Sequence, residues 1–307
     1  AKSRSIIIAS HINPDADSLC SSLALARGLK SLDKKVSVAV AGRIPALYRD
    51  LPGINLVACA LPYNQDLAIS IDCASTVQLG KLAAAFFSCR QILEIDHHLY
   101  RYRFGTFQLV DETISSAAEL VYLLLQKLHI SVDKVTAENL LTAIVTETSA
   151  FRLPQVDSHT FGVCARLMRS GLNYQKITQR YYWQQSVPRL RLSGLCFSRI
   201  KEEAGGRLIW SQVLRKDFRR LKGKQEDVDA VADELRAIKK VKIAILFREE
   251  PGNKLRVSLR AKGTIDVGVL ASQYGGGGHF DVASCIIPRN PYSIRHFINK
   301  AAKLLSG

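Results

Sequence analysis

The sequence predicts an α/β protein, in which an N-terminal domain with a parallel sheet covered by helices is followed by a smaller α/β domain, with a cleft between them. Two observations carry this prediction. Short apolar runs alternate with helical patterns over the first 150 residues, and a parallel sheet with helices on its faces accommodates that order most simply. A second alternation begins after residue 200. We therefore expect domains at 1–183 and 200–307, joined by a linker at 184–199.

The predicted strands of the first domain are runs rich in Ile, Val, Leu and Ala. They lie at 5–10, 35–41, 55–59, 67–72 and 91–95, with helical patterns at 18–31 and 75–87. Three further segments have apolar residues spaced near 3.6, which predicts helices at 113–128, 135–150 and 158–170. Gly171 is typical of a helix end.

The stretch 173–199 is polar, basic and aromatic, and we interpret it as the connection between the domains. Its aromatic residues Tyr181, Tyr182 and Trp183 could pack the connection or stack on bases, and packing is favoured. Beyond it, strands are predicted at 207–214, 241–248 and 255–261, with helices at 226–239, 266–274 and 292–305.

Charge and cysteine content limit the classes of protein to which this chain can belong. The chain of 307 residues has a net charge of +16, and residues 191–307 hold 23 Lys and Arg against 12 Asp and Glu. A polyanion is the natural ligand of such a segment, although a solvated basic surface explains the charge equally well. The seven cysteines form no C-x-x-C pair, and no apolar run reaches the length of a membrane span or a signal peptide. We expect a cytoplasmic protein without a membrane partner.

Polar side chains follow three of the predicted strands. His11, Asp15 and Asp17 come after the first strand, where Pro14 interrupts the extended chain. Asp15 and Asp17 could simply cap the following helix, but capping leaves His11 without a role. Asp72 ends the strand at 67–72, where it too could be a helix cap, and the run Asp96, His97 and His98 ends the strand at 91–95.

The carboxyl ends of parallel strands meet at one edge of a sheet, so these side chains should converge. So many carboxylates in one crevice repel one another unless cations are bound. Mixed carboxylate and imidazole ligands suit manganese, and magnesium or cobalt less well. The sequence thus predicts two divalent metal ions, most consistent with attack on phosphate.

The order and spacing of His11, Asp15, Asp17, Asp72 and the run 96–98 resemble the DHH phosphoesterase family. Ser258, Arg260 and Lys262, with the glycines 275–278 and His279, resemble the C-terminal domain that accompanies it. The size and two-domain layout look most like the nanoRNase and pAp phosphatase branch.

The resemblance implies specific roles. His11, Asp15 and Asp72 would hold one metal ion, and Asp17, Asp72 and His97 the other. Asp96 would orient an imidazole and His98 would face the scissile phosphate, which makes these two the predicted catalytic residues.

One position departs from the family. The last metal ligand lies in a Thr-Asp-Thr-Gly context in the family, but here the segment 146–149 reads Thr-Glu-Thr-Ser. Glu147 keeps the carboxylate on a side chain one methylene longer. Either it still ligates with altered geometry, which is favoured, or the second metal binds weakly.

The predicted substrate-binding residues lie in the second domain. Alternation places Arg256, Ser258, Arg260 and Lys262 on one face of a strand, where they could also simply meet water. A glycine run is more often a plain flexible turn, but it also lets backbone amides approach a phosphate. The run consists of Gly275, Gly276, Gly277 and Gly278, and His279 follows as a further donor.

The function implied is a metal-dependent phosphoesterase that hydrolyses short RNA oligonucleotides, pAp or linear dinucleotides with metal-activated water. Short single-stranded RNA or DNA and mononucleotide or dinucleotide phosphates are the expected partners, and a homodimer is possible. Two alternatives stay open, namely a polyphosphate or pyrophosphate hydrolase, and a nucleotide-binding regulator impaired by Glu147.

Overall fold

A computed structural model describes residues 3–99, 101–278 and 280–305. The chain forms two compact units, Ala1–Gln184 and Gln185–Gly307. Each unit contains a six-stranded sheet. His279, one of the predicted substrate-binding residues, lies outside the described residues.

The sheet of the first unit is entirely parallel, as the alternating pattern predicts. Its strand order is β3-β2-β1-β4-β5-β6, so the chain moves outward from β1 in both directions. The strands are β1 Ser5–Ser10, β2 Lys35–Val40, β3 Val57–Ala58, β4 Leu67–Ile71, β5 Gln91–Asp96 and β6 Phe107–Val110.

Helices cover both faces of this sheet, and each face has its own apolar core. The larger core includes Ile8, Leu25 and Leu140, and the smaller one includes Ile7, Leu79 and Phe86. The helices are α1 Ala16–Lys30, α2 Ala83–Phe87, α3 Ala117–Lys127, α4 Lys134–Glu147, α5 Ser158–Met168 and α6 Tyr174–Thr178, with 3-10 turns at Ala46–Tyr48, Ile54–Leu56 and Thr76–Leu82 and a π turn at Gln179–Trp183.

Two of the predicted elements of this unit differ from the structure. The strand predicted at 55–59 has only two paired residues, because a 3-10 turn at Ile54–Leu56 occupies its first half. The helix predicted at 75–87 is mostly a 3-10 segment, and Gly80 interrupts it with φ of 52°. The short strand β6 lies just before α3 and was not predicted.

The second unit has a mixed sheet of order β11-β12-β10-β9-β8-β7, in which β8 and β9 are the parallel pair. Its strands are β7 Lys201–Glu203, β8 Leu208–Val213, β9 Ile243–Glu250, β10 Lys254–Ala261, β11 Gly277–Gly278 and β12 Val282–Pro288. Its helices are α7 Val187–Ser198, α8 Arg215–Leu221, α9 Val231–Arg236, α10 Val267–Ser272 and α11 Pro291–Lys303, with 3-10 turns at Ala204–Gly206 and Gln225–Val228.

The segment 184–199, expected to be a linker, is largely the helix α7. Its residues Leu192 and Cys196 are fully buried in a core that they share with α8, α9 and one face of the sheet. Strand β12 and helix α8 were not predicted, although β12 pairs with β10 over seven residues. None of the described helices is long and apolar enough to cross a bilayer.

Candidate metal centre

The predicted ligands of the first unit converge at the carboxyl edge of its sheet. His11 follows β1, Asp72 follows β4, and Asp96 ends β5, and these three strands are neighbours. The chain moves away from β1 in opposite directions at this edge, which opens the crevice where α/β sheets bind ligands. Asp72 has φ of 57°, a left-handed conformation that aspartate tolerates better than most residues.

One group of donors surrounds His11. Its Nε2 lies 3.5 Å from Asp15 Oδ2 and 3.4 Å from Asp72 Oδ2. The other carboxylate oxygen of Asp15 accepts a hydrogen bond from the Ser18 backbone amide at 2.9 Å and caps α1. The capping and ligand interpretations of Asp15 are therefore compatible, because they use different oxygens.

A second group of donors surrounds His97. Its Nε2 lies 3.7 Å from Asp17 Oδ2, 3.7 Å from Asp72 Oδ1 and 3.8 Å from Glu147 Oε1. Asp72 thus faces one group with Oδ2 and the other with Oδ1. The longer side chain of Glu147 reaches the group to which the resemblance assigned it.

The segment 114–118 holds two of these donors, which sequence reasoning missed. The backbone amides of Ala117 and Ala118 donate to Asp17 at 2.7 and 3.1 Å, and the Ile114 carbonyl lies 3.3 Å from His97 Nδ1. Asp17 therefore binds the N-terminus of α3, a favourable place for a carboxylate. The signal was Ser116 with Glu119 three residues later, a spacing typical of helix N-termini.

Asp96 fixes the ring of His98. Its Oδ1 lies 2.7 Å from His98 Nδ1 and also accepts the backbone amides of His97 and His98, at 2.8 and 3.2 Å. Asp96 is buried, whereas 19% of the His98 side chain is exposed, against 8% for His97. His98 is thus the more accessible of the two imidazoles.

A buried carboxylate, Glu94, holds the loop after the histidines. It accepts hydrogen bonds from Arg101 Nη1 at 2.7 Å, from the Phe104 amide at 2.9 Å, from Gln108 Nε2 at 3.1 Å and from the Gly105 amide. A Cβ at position 105 would lie 2.8 Å from Glu94 Cγ, so only glycine fits there. Sequence reasoning left Arg101 unassigned, and no local pattern pairs it with Glu94.

The backbone after Glu147 is unusual. Ser149, Ala150 and Phe151 have φ of 50°, 59° and 64°, three successive left-handed residues without a glycine. L-amino acids with a side chain pay a steric cost in this region. The turn is closed by hydrogen bonds from the Ala150 amide to the Val145 carbonyl at 2.7 Å and from the Phe151 amide to Thr148 Oγ1 at 3.0 Å.

The electrostatics of the crevice fit a cation. Burial and the nearby Asp72 charge raise the pKa of Asp17 to about 7, and burial with three neighbouring aspartates raises the pKa of Glu147. Burial opposes protonation of His11, but hydrogen bonds to Asp15 and Asp72 outweigh it and raise the His11 pKa to about 11.

One atom at the centre of the crevice tests this fit directly. Asp72 Oδ1 is buried and accepts no hydrogen bond from any residue that the structure describes. A buried carboxylate oxygen without a donor is costly, and a divalent cation would satisfy it. The carboxylates and imidazoles around it are suitable metal ligands, so the residues fit the metal ions that the sequence predicts.

Three predicted substrate-binding residues, Arg256, Ser258 and Arg260, share one face of β10, Lys262 lies just beyond the end of the strand, and these residues differ in their contacts. Arg256 is exposed, and its Nη2 lies 3.5 Å from Ser284 Oγ. Arg260 Nε donates to Asp233 Oδ1 at 2.9 Å, and Lys262 Nζ donates to the Ile238 carbonyl at 2.9 Å. Ser258 is half-buried beside Arg256 on this face.

Two of the four glycines are explained by close packing on β12. A Cβ at Gly276 would lie 2.1 Å from the Ser284 carbonyl oxygen, and one at Gly278 would lie 2.3 Å from that of Val282. A Cβ at Gly277 would meet nothing within 4 Å. The run is therefore partly a structural requirement of the sheet edge.

Each of the two units matches the model of a known protein family. Residues 5–146 match the "DHH family, N-terminal domain" and residues 205–307 match the "DHHA1 domain". The chain is 28% identical over 285 residues to the "Bifunctional oligoribonuclease and PAP phosphatase NrnA" of Thermus thermophilus, covering 92% of this chain and 84% of that protein. It is 24% identical over 278 residues to the protein of the same name from Bacillus subtilis, covering 89% and 86%.

Solved structures show the same fold. An exopolyphosphatase-related protein from Bacteroides fragilis superimposes with a TM-score of 0.90 at 24% identity, covering 98% of this chain and 92% of that one. A putative family II inorganic pyrophosphatase from Methanococcus jannaschii gives a TM-score of 0.51 at 15% identity, covering 98% and 100%. With its two matched domains and its relatives over most of its length, this chain belongs to the DHH family.

Proposed function

We propose that this protein is a metal-dependent phosphoesterase that hydrolyses short RNA oligonucleotides and small nucleotide phosphates such as pAp or linear dinucleotides. The observation that carries the proposal is the position of Asp72, whose two oxygens face two separate groups of donors. The names of the relatives from Thermus thermophilus and Bacillus subtilis support the choice of substrates.

Each group of donors would hold one divalent cation, and manganese suits this mixture of carboxylates and imidazoles best. One ion would be held by His11, Asp15 and Asp72, and the other by Asp17, Asp72, His97 and Glu147. When bound, the two ions would activate water and neutralise charge on the phosphoryl oxygens.

The protein's own residues supply orientation and a proton. Asp96 holds the His98 ring through Nδ1, and we assign His98 Nε2 to a hydrogen bond with the scissile phosphate. The amides of Ala117 and Ala118 hold Asp17, so its carboxylate is in place before substrate arrives.

The second unit would bind the substrate's nucleotides. Arg256 is the residue of its predicted binding face best placed to contact a phosphate, because its guanidinium is exposed. Contacts of this kind go to the backbone, so we expect little base preference. The seven cysteines are all free thiols, in keeping with the proposed cytoplasmic location, and dimerisation stays a prediction.

A panel of substrates tests the proposal. A five-nucleotide RNA, linear diadenylate, pAp and polyphosphate would each be incubated with manganese or with chelator, beside a His98→Ala variant. We expect manganese-dependent release of mononucleotides or phosphate from the nucleotide substrates and its loss in the variant. Turnover of polyphosphate alone would replace the proposal with an inorganic phosphohydrolase. Tight nucleotide binding without turnover would favour a regulator.

A further inference from the structure

Helix α8 and the turn after it carry a dense exposed positive charge. Six basic residues fall within ten positions, and all six side chains are exposed. We call them the α8 basic surface, and they are Arg215, Lys216, Arg219, Arg220, Lys222 and Lys224.

This charge is hardly neutralised within the protein. Asp217, the acidic residue of the helix, is buried, and its carboxylate binds Arg199 at 2.5 and 3.1 Å and the Leu214 amide at 2.9 Å. Arg220 approaches it only to 3.9 Å, and Lys224 lies 3.6 Å from an exposed glutamate. Within the described part of the chain, the other four basic side chains have no ion-pair partner: Arg215, Lys216, Arg219 and Lys222.

The spacing of these charges is unfavourable without a ligand. Arg215 and Arg219 lie one helical turn apart, as do Lys216 and Arg220, and like charges at this spacing destabilise a helix. A polyanion lying along the helix would relieve that repulsion. The surface is therefore better suited to a bound anionic chain than to water alone.

The α8 basic surface is linked by hydrogen bonds to β9, the strand that pairs with the predicted substrate face. The Gln225 carbonyl, next to Lys224, accepts a hydrogen bond from Arg248 Nη1 at 3.3 Å, and Arg248 is the cross-strand neighbour of Arg256. At the other end of α8, the Arg215 amide donates to Glu249 at 3.0 Å. Arg248 itself is neutralised by Asp229 at 3.2 Å and Glu250 at 2.9 Å, so the α8 basic surface and Arg256 are two separate basic patches, both next to the last residues of β9.

We propose that the α8 basic surface binds the phosphate backbone of single-stranded RNA beyond the nucleotides held at the Arg256 face. The inference rests on the proposed function and adds a second, distal subsite to it. Phe218 is buried and Leu221 is half-buried, so α8 presents no exposed large apolar side chain for insertion into lipid. The binding would extend affinity with chain length and would not read bases.

The test is direct binding of labelled oligoadenylates by the full-length protein in chelator, where no cleavage competes. A dinucleotide and an oligomer of about twelve nucleotides would be titrated between about 50 and 200 mM salt. The variant Arg215→Gln/Lys216→Gln/Arg219→Gln removes three charges from α8. The matched control Lys239→Gln/Lys240→Gln/Lys242→Gln removes three exposed charges from the segment between α9 and β9.

We expect the α8 variant to bind the longer oligomer about 10-fold more weakly and its log–log salt slope to fall by about 2, since each phosphate contact contributes about 0.7. Dinucleotide affinity should be unchanged, and the control should bind both like the original protein. Equal losses in both variants, or none in the α8 variant, would overturn the inference. The inference would also be overturned if the α8 variant kept its affinity for RNA and lost binding only to vesicles of anionic lipid.

This readout is separable from the proposed catalysis. Length-dependent binding that needs α8, in a protein that cleaves nothing, would reject the hydrolase and keep the subsite. Cleavage of all nucleotide substrates with no effect of the α8 variant would keep the hydrolase and reject the subsite. Thermal melting of each variant would establish that it is folded before binding is compared.

Discussion

The carboxyl edge of the first sheet and the second unit each contain a set of predicted functional residues, and the two sets differ in how their residues are held. At the first edge, carboxylates from three segments lie within 4 Å of His11 or His97, and the central oxygen of Asp72 accepts no hydrogen bond from the described residues. On the second face, Arg260 is paired with Asp233, and Arg256 is exposed.

The difference follows from the origin of each prediction. Parallel strands place their carboxyl ends at the same edge of the sheet, so residues at the ends of neighbouring strands lie close together. Alternation along one strand determines which face a side chain occupies, but not which partner it meets there. We therefore expect substitutions at the first edge to impair the same property, metal-dependent activity. Substitutions among the residues of the second set should affect different properties.

The largest effect should come from Asp72→Asn. The change weakens the one side chain shared by both groups of donors, so we expect a loss in kcat/KM of about 10³-fold and weaker manganese binding. Asp66→Asn, just before the same strand, is the matched control, because the Asp66 carboxylate accepts the backbone amides of Arg4 and Ser5 at the other end of β4 from Asp72. Steady-state kinetics and calorimetric metal titration measure both. If Asp72→Asn kept activity within 10-fold of the original protein, Asp72 would not be the central residue of the site.

Glu147→Gln should come next. Its carboxylate lies 3.8 Å from His97 Nε2, so losing its charge should weaken metal binding by about 10- to 100-fold, the range typical of residues that support a metal site. Glu147→Asp shortens the side chain and should weaken binding less. A large gain in activity from Glu147→Asp would instead mean that the glutamate impairs the enzyme.

Arg256→Gln and Arg260→Gln sharpen the contrast within the second face. Removing the exposed Arg256 should raise KM for nucleotide substrates about 10-fold, the scale of one charged hydrogen bond, with unchanged stability. Removing Arg260 should cost about 1 kcal/mol of unfolding free energy, because its partner Asp233 is partly exposed, with a smaller effect on KM. Kinetics and urea denaturation separate the two, and identical profiles would contradict the distinction.

The smallest effect should come from Ser149→Gly, in the left-handed turn after Glu147. Glycine adopts φ of 50° without steric cost, so we expect a gain of about 1 kcal/mol in unfolding free energy. Ser193→Gly, inside α7, should instead lose about 0.5 kcal/mol through helix propensity. Chemical denaturation of the metal-free protein measures both. A loss of stability at position 149 would show that its side chain contributes more than its strained backbone costs.

Much of the fold could be predicted, and the misses have local causes. Strands β1, β4 and β5 were recognisable because they are continuous apolar runs that end in polar residues. Strands β6 and β12 were missed because β6 is short and β12 begins four residues after a glycine run. Helix α8 was missed because seven mostly basic residues show little apolar periodicity.

The sequence by itself determined the alternation of strands and helices, the placement of ligands at strand ends and the basic character of the last third. Each of these is a property of neighbouring residues and their spacing. Only the tertiary structure decided that Asp72 faces two groups of donors, that Asp17 binds the amides of Ala117 and Ala118 a hundred residues away, and that Glu94 holds Arg101. Such contacts depend on how helices and loops pack onto the sheet, and the local spacing of residues does not predict that packing.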